Sequence, residues 1–279
     1  MMTNRPALVL DASGILFRSF FGMPYLKNDK GEPTGALFGL VRFLFRLKTE
    51  FFGAPILVVL DGPDNKRRRR RLYPLYKEQR VELDPDLYFQ IGEVPELCAR
   101  LGLPCLALEG EEADDVIGSV VRNRKQETYV FSFDKDLCQL VSTSVQVVRP
   151  KKEFLFLNEA GVQAEYGVLP TQIPAWLAIV GDASDGLPGI PGLGPKKAVA
   201  LLREYGTLQA AIDSHQVGRV GQLLLQYREQ ALFMEAFTRL IDSIPLPAFS
   251  WSSPVQQGAL ETWLKEKGFF SLLKNMPVD

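Results

Sequence analysis

Carboxylates recur along the chain in short clusters: Asp11, Asp61, Glu112 with Asp114 and Asp115, Asp134 with Asp136, and Asp182 with Asp185. Hard cations such as Mg²⁺ and Mn²⁺ take oxygen ligands, and a pair of them about 4 Å apart clamps the attacking and leaving oxygens of a phosphodiester displacement. The residue types therefore point to a carboxylate cage for two divalent ions. A single histidine, His215, leaves imidazole catalysis little to work with. No Gly-x-x-x-x-Gly-Lys-Ser/Thr loop occurs, which counts against phosphate transfer from nucleotides.

Each cluster also has a plainer reading. Glu112, Asp114 and Asp115 open a helix expected over Ala113 to Arg124, where acids complement the helix dipole. Asp134 and Asp136 share a side if the chain stays extended, or form an Asx turn into Leu137. Asp182 and Asp185 follow an apolar helix ending at Val180, where Asp and Ser184 serve as caps. Their joint occurrence, with acids placed at the ends of apolar strands, favours a common site.

Those strands are Ala7 to Leu10 and Ile56 to Leu60, continuous apolar runs that each end in an aspartate, and Tyr129 to Ser132, which precedes Asp134. Buried parallel strands read this way, and open α/β sheets bind ligands outside the carboxyl ends of their strands. Helices are expected over Thr34 to Thr49 and Asp84 to Leu101, the second with Pro85 in its first turn. The fold class is α/β, with a mainly parallel central sheet flanked by helices. From about Gln172 the pattern changes to helices with short Gly/Pro turns: Ile173 to Val180, Lys196 to Tyr205, Leu208 to Ser214, Val220 to Ile241, and a last one over Glu261 to Leu273 interrupted by Gly268. The expected division is an α/β region over residues 1–175, with an insertion at about 62–90, and a helical region over 176–279 with a hairpin at about 181–215.

The chain has 279 residues, 46% of them hydrophobic, enough for one sizeable core and an appended smaller region. Its N-terminus runs into a strand without a signal-peptide apolar stretch, so a cytoplasmic protein without a membrane contact is expected. Cys98, Cys105 and Cys138 lack zinc spacing and read as buried, reduced thiols. The net charge of −1 conceals a local asymmetry. Lys66, Arg67, Arg68, Arg69, Arg70, Arg71, Lys77 and Arg80 stand against only Asp64 and Glu78 in one stretch. With Tyr73 and Tyr76 nearby, this stretch combines phosphate-binding charge with rings on which single-stranded bases stack. Gly189, Gly192 and Gly194 precede Lys196 and Lys197 at a helix start, a helix-hairpin-helix pattern whose backbone N–H groups can hold a phosphate without reading bases. Arg18, on an apolar and aromatic segment just after Asp11, is a phosphate ligand or the partner of one of the acids.

With these residues assembled, the chain resembles the 5′-nuclease family over nearly its full length: the 5′-3′ exonuclease domain of bacterial DNA polymerase I, phage 5′ exonucleases and flap endonucleases. The segments carrying the likeness are Leu10-Asp11-Ala12-Ser13 with Arg18, Lys30 to Ala36, Asp61, Tyr76 to Arg80, Glu112 to Gly118, Asp134 to Leu140 and Gly181 to Asp185. The resemblance implies a PIN-like nuclease core acting on DNA with a free 5′ end. It implies one metal group from Asp11, Asp61, Glu112 and Asp114 and a second from Asp115, Asp134, Asp136, Asp182 and Asp185, filled by two Mg²⁺ or Mn²⁺ ions. Arg18, Tyr76, Lys77 and Arg80 are the implied catalytic residues, and the basic insertion is an implied helical arch over the site. A potassium ion at the hairpin turn, a monomeric state and a separate DNA polymerase or ligase as partner follow from the same likeness. The alternative is a catalytically silent DNA-junction binding protein of the same fold; an RNA-directed nuclease is a further rival. Phe133 stands where the family often has glycine and is expected to narrow the pocket beside Asp134; Gly186 replaces a common asparagine, and a histidine often found near Phe21 is absent. Ending at Asp279, the chain reads as a stand-alone nuclease or one domain of a longer product.

Overall fold

A computed structural model describes residues 5–214 and 217–277; His215 lies outside the described residues. Six strands form one sheet: β1 Ala7–Asp11, β2 Ile56–Val59, β3 Cys105–Leu106, β4 Thr128–Phe131, β5 Val145–Arg149 and β6 Leu155–Leu157, in the order β3-β2-β1-β4-β5-β6. All neighbours pair in parallel except β5 and β6. β1 and β2 are buried along their whole length, as apolar runs in a parallel sheet covered on both faces must be. The chain moves outward one way from β1 through β2 to β3 and the other way from β4 to β6, so the switch point lies between β1 and β4. There the register sets Leu10 beside Phe131 and Asp11 beside Val59, which brings Asp11, Asp61 and the Ser132 to Asp136 turn to one edge.

One sheet face is covered by helices Ala12–Gly22, Gly35–Glu50, Pro85–Gly92 and Val94–Arg100, around Leu8, Leu10, Val58 and Phe131. The other, around Val9, Val59, Val130 and Val147, is covered by Ala113–Arg122 and the helical region beginning at Ile173–Val180. The last helix, Gln257–Glu266, returns to the first face. Leu260, Trp263 and Leu264 join that core, and Gln256 N–H donates to the Arg100 carbonyl at 2.8 Å.

Several expected elements differ. The Asp84 to Leu101 helix is two, broken at Glu93, because Pro95 has no N–H and its ring excludes the preceding turn. The Val220 to Ile241 helix is Arg219–Gln226 and Arg228–Thr238. It stops short of Ile241 because Leu240 and Ile241 give their N–H groups to Gln139 and Asp115 instead. Cys98 and Cys138 are buried free thiols, but Cys105 is only partly covered. Among the described residues no helix is long and apolar enough to cross a membrane.

Candidate active site

The carboxyl edge of the sheet is built strand by strand. Asp11 ends β1 and caps the Ala12–Gly22 helix, accepting from Gly14 N–H at 3.0 Å, while the Ser132 hydroxyl donates to its other oxygen at 2.6 Å. Asp61, just past β2, receives the Ala113 N–H at 3.0 Å, and its own N–H donates to the Ser13 hydroxyl at 2.9 Å. Past β4, the Ser132 hydroxyl accepts from Asp134 N–H at 2.9 Å, and Asp134 accepts from Asp136 N–H at 2.8 Å. The Asx turn is therefore real, and Asp136 opens a 3₁₀ turn, Asp136–Leu140, instead of prolonging the strand. Beneath it lies buried Arg149, at the end of β5. It donates to the Ser132 carbonyl at 3.1 Å, the Asp134 carbonyl at 2.8 Å and the Tyr166 hydroxyl at 2.9 Å.

These acids lack cationic partners. Among the described residues Asp11, Asp61, Asp114 and Asp134 form no ion pair, and Asp136 has only Lys135 at 3.9 Å. Burial raises Asp11 to about 6, against the hydrogen bonds from Ser132 and Gly14, with Asp61 and Asp134 adding repulsion. Burial, then the charges of Asp134 and Asp11, lifts Asp114 well above the carboxylate range; burial and Asp134 do the same for Asp136. One buried Asp136 oxygen has no hydrogen-bond partner. No group of three acids converges to ligating distance of one point among the described residues. The donor set is nevertheless all carboxylate oxygen, mutually repelling and partly unsatisfied, so it fits hard divalent cations.

The remaining acids are held by cations. Glu112 takes Lys77 at 2.6 Å, Arg69 at 2.7 Å and the Tyr76 hydroxyl at 3.0 Å. Asp115 takes Arg69 and Ile241 N–H, both at 2.8 Å; burial still raises it to about 6 against those two partners. Asp185 takes Arg80 at 2.6 Å and Lys77 at 3.7 Å. Asp182 takes Lys135 at 2.5 Å and the Ser184 hydroxyl at 2.6 Å; burial opposes, but these partners hold it below the usual range. This division by partner cuts across the two metal groups that the resemblance implies.

The basic segment folds back onto these acids. It holds a short helix, Arg67–Leu72, followed by turns that bury Tyr76 and Lys77 against Glu112 and Asp185. Lys77 sits there in a left-handed conformation, φ 51°, with its N–H on the Asp185 carbonyl at 3.0 Å. The six consecutive cations do not share one environment. Arg69 is buried in its ion pairs, Arg68 is paired with Glu111, and Arg70 donates to the Tyr76 and Lys77 carbonyls at 3.1 and 3.2 Å. Lys66, Arg67, Arg70 and Arg71 line an open concavity of about 370 Å³ with Asp64 and Asn65.

At the hairpin, Gly181 and Gly189 bring two backbones together: a Cβ on Gly189 would lie 2.4 Å from the Val180 carbonyl carbon. Gly192 takes φ 88°, and Gly194 caps the Pro195–Tyr205 helix, which exposes Lys196 and Lys197. Lys197 donates to the Gly192 carbonyl at 2.8 Å. Arg18 pairs with no acid among the described residues; its guanidinium lies 4.1 Å from the centre of the Phe133 ring. Sequence reasoning missed Ser132, Lys135 and Arg149. The signal for the first two was their position beside the aspartates; Arg149 had only its place at the end of an unrecognised strand.

Two family descriptions divide the chain: "5′-3′ exonuclease, N-terminal resolvase-like domain" over residues 6–167 and "5′-3′ exonuclease, C-terminal SAM fold" over residues 168–257. A 5′-3′ exonuclease of Aquifex aeolicus (strain VF5) is 40% identical over 204 residues, covering 72% of this chain and 70% of that protein. DNA polymerase I of Bacillus caldotenax is 33% identical over 98% of this chain, which spans only 32% of the polymerase. In fold, the chain is similar to the bacteriophage T5 flap endonuclease, solved as a pseudo-enzyme-product complex with DNA and metal ions. The TM-score is 0.70 at 21% identity, over 85% of this chain and 90% of that one.

Proposed function

Because the chain belongs to the 5′-3′ exonuclease family and is therefore a nuclease, we propose that it hydrolyses DNA carrying a free 5′ end, at flaps, nicks or gaps. The observation that carries this reading is the group of Asp11, Asp61, Asp114, Asp134 and Asp136 at the switch point of the sheet; among the described residues the first four form no ion pair, and Asp136 has only Lys135 at 3.9 Å. These five, completed by Glu112, Asp115, Asp182 and Asp185, are the proposed holders of two Mg²⁺ or Mn²⁺ ions. Bound there, divalent ions supply a nucleophilic water at neutral pH and offset charge on the leaving 3′ oxygen.

The chain's own groups do the positioning. Lys77 and Arg80, now on Glu112 and Asp185, stand at the crevice with Arg18 as donors to the scissile phosphate, where charge grows in the transition state. Tyr76 orients Glu112 through its hydroxyl. Lys66, Arg67, Arg70 and Arg71 offer the single-stranded 5′ end a basic surface, and the Gly189 to Gly194 turn with Lys196 and Lys197 grips duplex backbone. The Gly189 to Gly194 turn would hold a potassium ion; the Gly192 carbonyl there accepts from Lys197 at 2.8 Å. We assign the protein to the cytoplasm as a monomer working beside a separate polymerase or ligase.

A 5′-labelled flap duplex incubated in Mg²⁺, in chelator and with an Asp114→Asn variant tests this reading. Flap release is expected in Mg²⁺ alone, with the variant slower by about a thousandfold, roughly 4 kcal/mol of barrier. Tight binding without a cut product in Mg²⁺ or Mn²⁺ would make the protein a junction binder instead.

A further inference from the structure

Phe133 is the one aromatic ring set into the turn that carries Asp134 and Asp136, and the backbone on either side of it is fixed. Ser132 N–H donates to the Val148 carbonyl at 3.2 Å, and Arg149 holds the carbonyls of Ser132 and Asp134. The ring packs against the core below and meets the Arg18 guanidinium at 4.1 Å above. Arg18 projects, exposed, from the helix that Asp11 caps, and no acid among the described residues competes for it.

A guanidinium drawn to a ring face by its charge spends none of its N–H donors on an acceptor, so they stay available. A long side chain otherwise loses rotamer freedom when it binds, and a fixed ring removes part of that loss beforehand. We propose that Phe133 is a positioning residue that holds Arg18 at the rim of the carboxylate crevice, ready to receive a DNA phosphate. The inference rests on the nuclease reading above and adds a specificity to this chain: its phosphate-binding arginine is ordered before substrate arrives.

Fluorescence anisotropy with a labelled flap duplex in chelator, where no cutting occurs, tests it on four proteins: wild type, Phe133→Leu, Arg18→Ala and the double variant. Leucine keeps the apolar volume and removes the ring face, so binding should weaken about threefold to tenfold. The double variant should bind no worse than Arg18→Ala, since Phe133 acts only through Arg18. Phe133→Trp, which keeps a ring face, should restore wild-type affinity, a recovery that a merely space-filling role for the ring would not produce. Wild-type affinity in Phe133→Leu, or losses that multiply in the double variant, would overturn the assignment while leaving the nuclease reading intact. Wild-type protein that neither binds nor cuts the flap would remove both.

Discussion

Two sets of acids share one crevice and differ in their cationic partners. Asp11, Asp114 and Asp136 are enclosed by protein and by each other, and their carboxyls are pushed upward. A few residues away, Glu112, Asp115, Asp182 and Asp185 face Arg69, Lys77, Arg80 and Lys135, all within 2.8 Å for their nearest pair. All are carboxylates; what differs is whether the fold brings a cation into hydrogen-bond distance, since Asp136 has only Lys135 at 3.9 Å. A buried charge without a partner is a cost to folding, and one with a good partner is costly mainly when that partner is removed. The first set is thus kept at the expense of stability, as expected of a binding site, and the second ties the basic segment and the hairpin to the core.

Paired substitutions separate the two sets most strongly. Glu112→Gln leaves Arg69 and Lys77 buried beside a neutral amide and should lower unfolding stability by about 3–5 kcal/mol. Asp114→Asn, which relieves repulsion, should leave the stability unchanged or raised. Denaturant melts of the two in chelator measure the contrast, and equal losses would erase the distinction between the sets.

Acidity provides a second test. Asp11 and Asp115 rise from 3.8 to about 6 on folding, so the native state holds their protons more tightly than the unfolded chain does. Stability contributed in this way is fully present below pH 3.8 and is lost as pH rises through about 6, by roughly 3 kcal/mol for each group. Melting temperatures in chelator across that window should therefore fall with rising pH, and divalent cation added above pH 6 should raise them. A melting temperature that climbs through the same window would contradict the desolvation of Asp11 and Asp115, one from each set.

The smallest effect concerns the arginine run. Arg71 faces the basic concavity and Arg69 is buried. Arg71→Ala should reduce the slope of log affinity for DNA against log salt by about 0.9, one phosphate contact, without changing the melting temperature. An unchanged slope would remove Arg71 from the DNA surface.

Much of this crevice was legible in the residues. Apolar runs ending in Asp11 and Asp61 located two strands and their edge, because burial on both faces leaves a continuous pattern. The acids at the start of Ala113–Arg122 were legible for the same reason, lying beside an apolar helical stripe. What escaped notice depended on contacts distant in sequence. Six like charges in a row show no periodicity, so nothing in the run marked Arg69 as the one turned inward to Glu112 and Asp115. Arg149 lies on β5, whose Val-Gln-Val-Val-Arg run is short, and β6 next to it is mostly exposed, so neither strand announced itself. The partnership of Arg18 with Phe133 joins a helix to a turn from another strand, and no local pattern encodes it.

The contact between Gly181 and Gly189 carries a consequence for inheritance. Every missense change of a glycine codon introduces a Cβ, and here it would have to fit within 2.6 Å of the opposing peptide at Gly181 or 2.4 Å at Gly189. Gly181 adds φ 82°, which other residues rarely adopt. The joint between the acids Asp182 and Asp185 and the hairpin helix is therefore closed to gradual drift. A lineage cannot lengthen this joint by one carbon atom without parting the two backbone segments that form it.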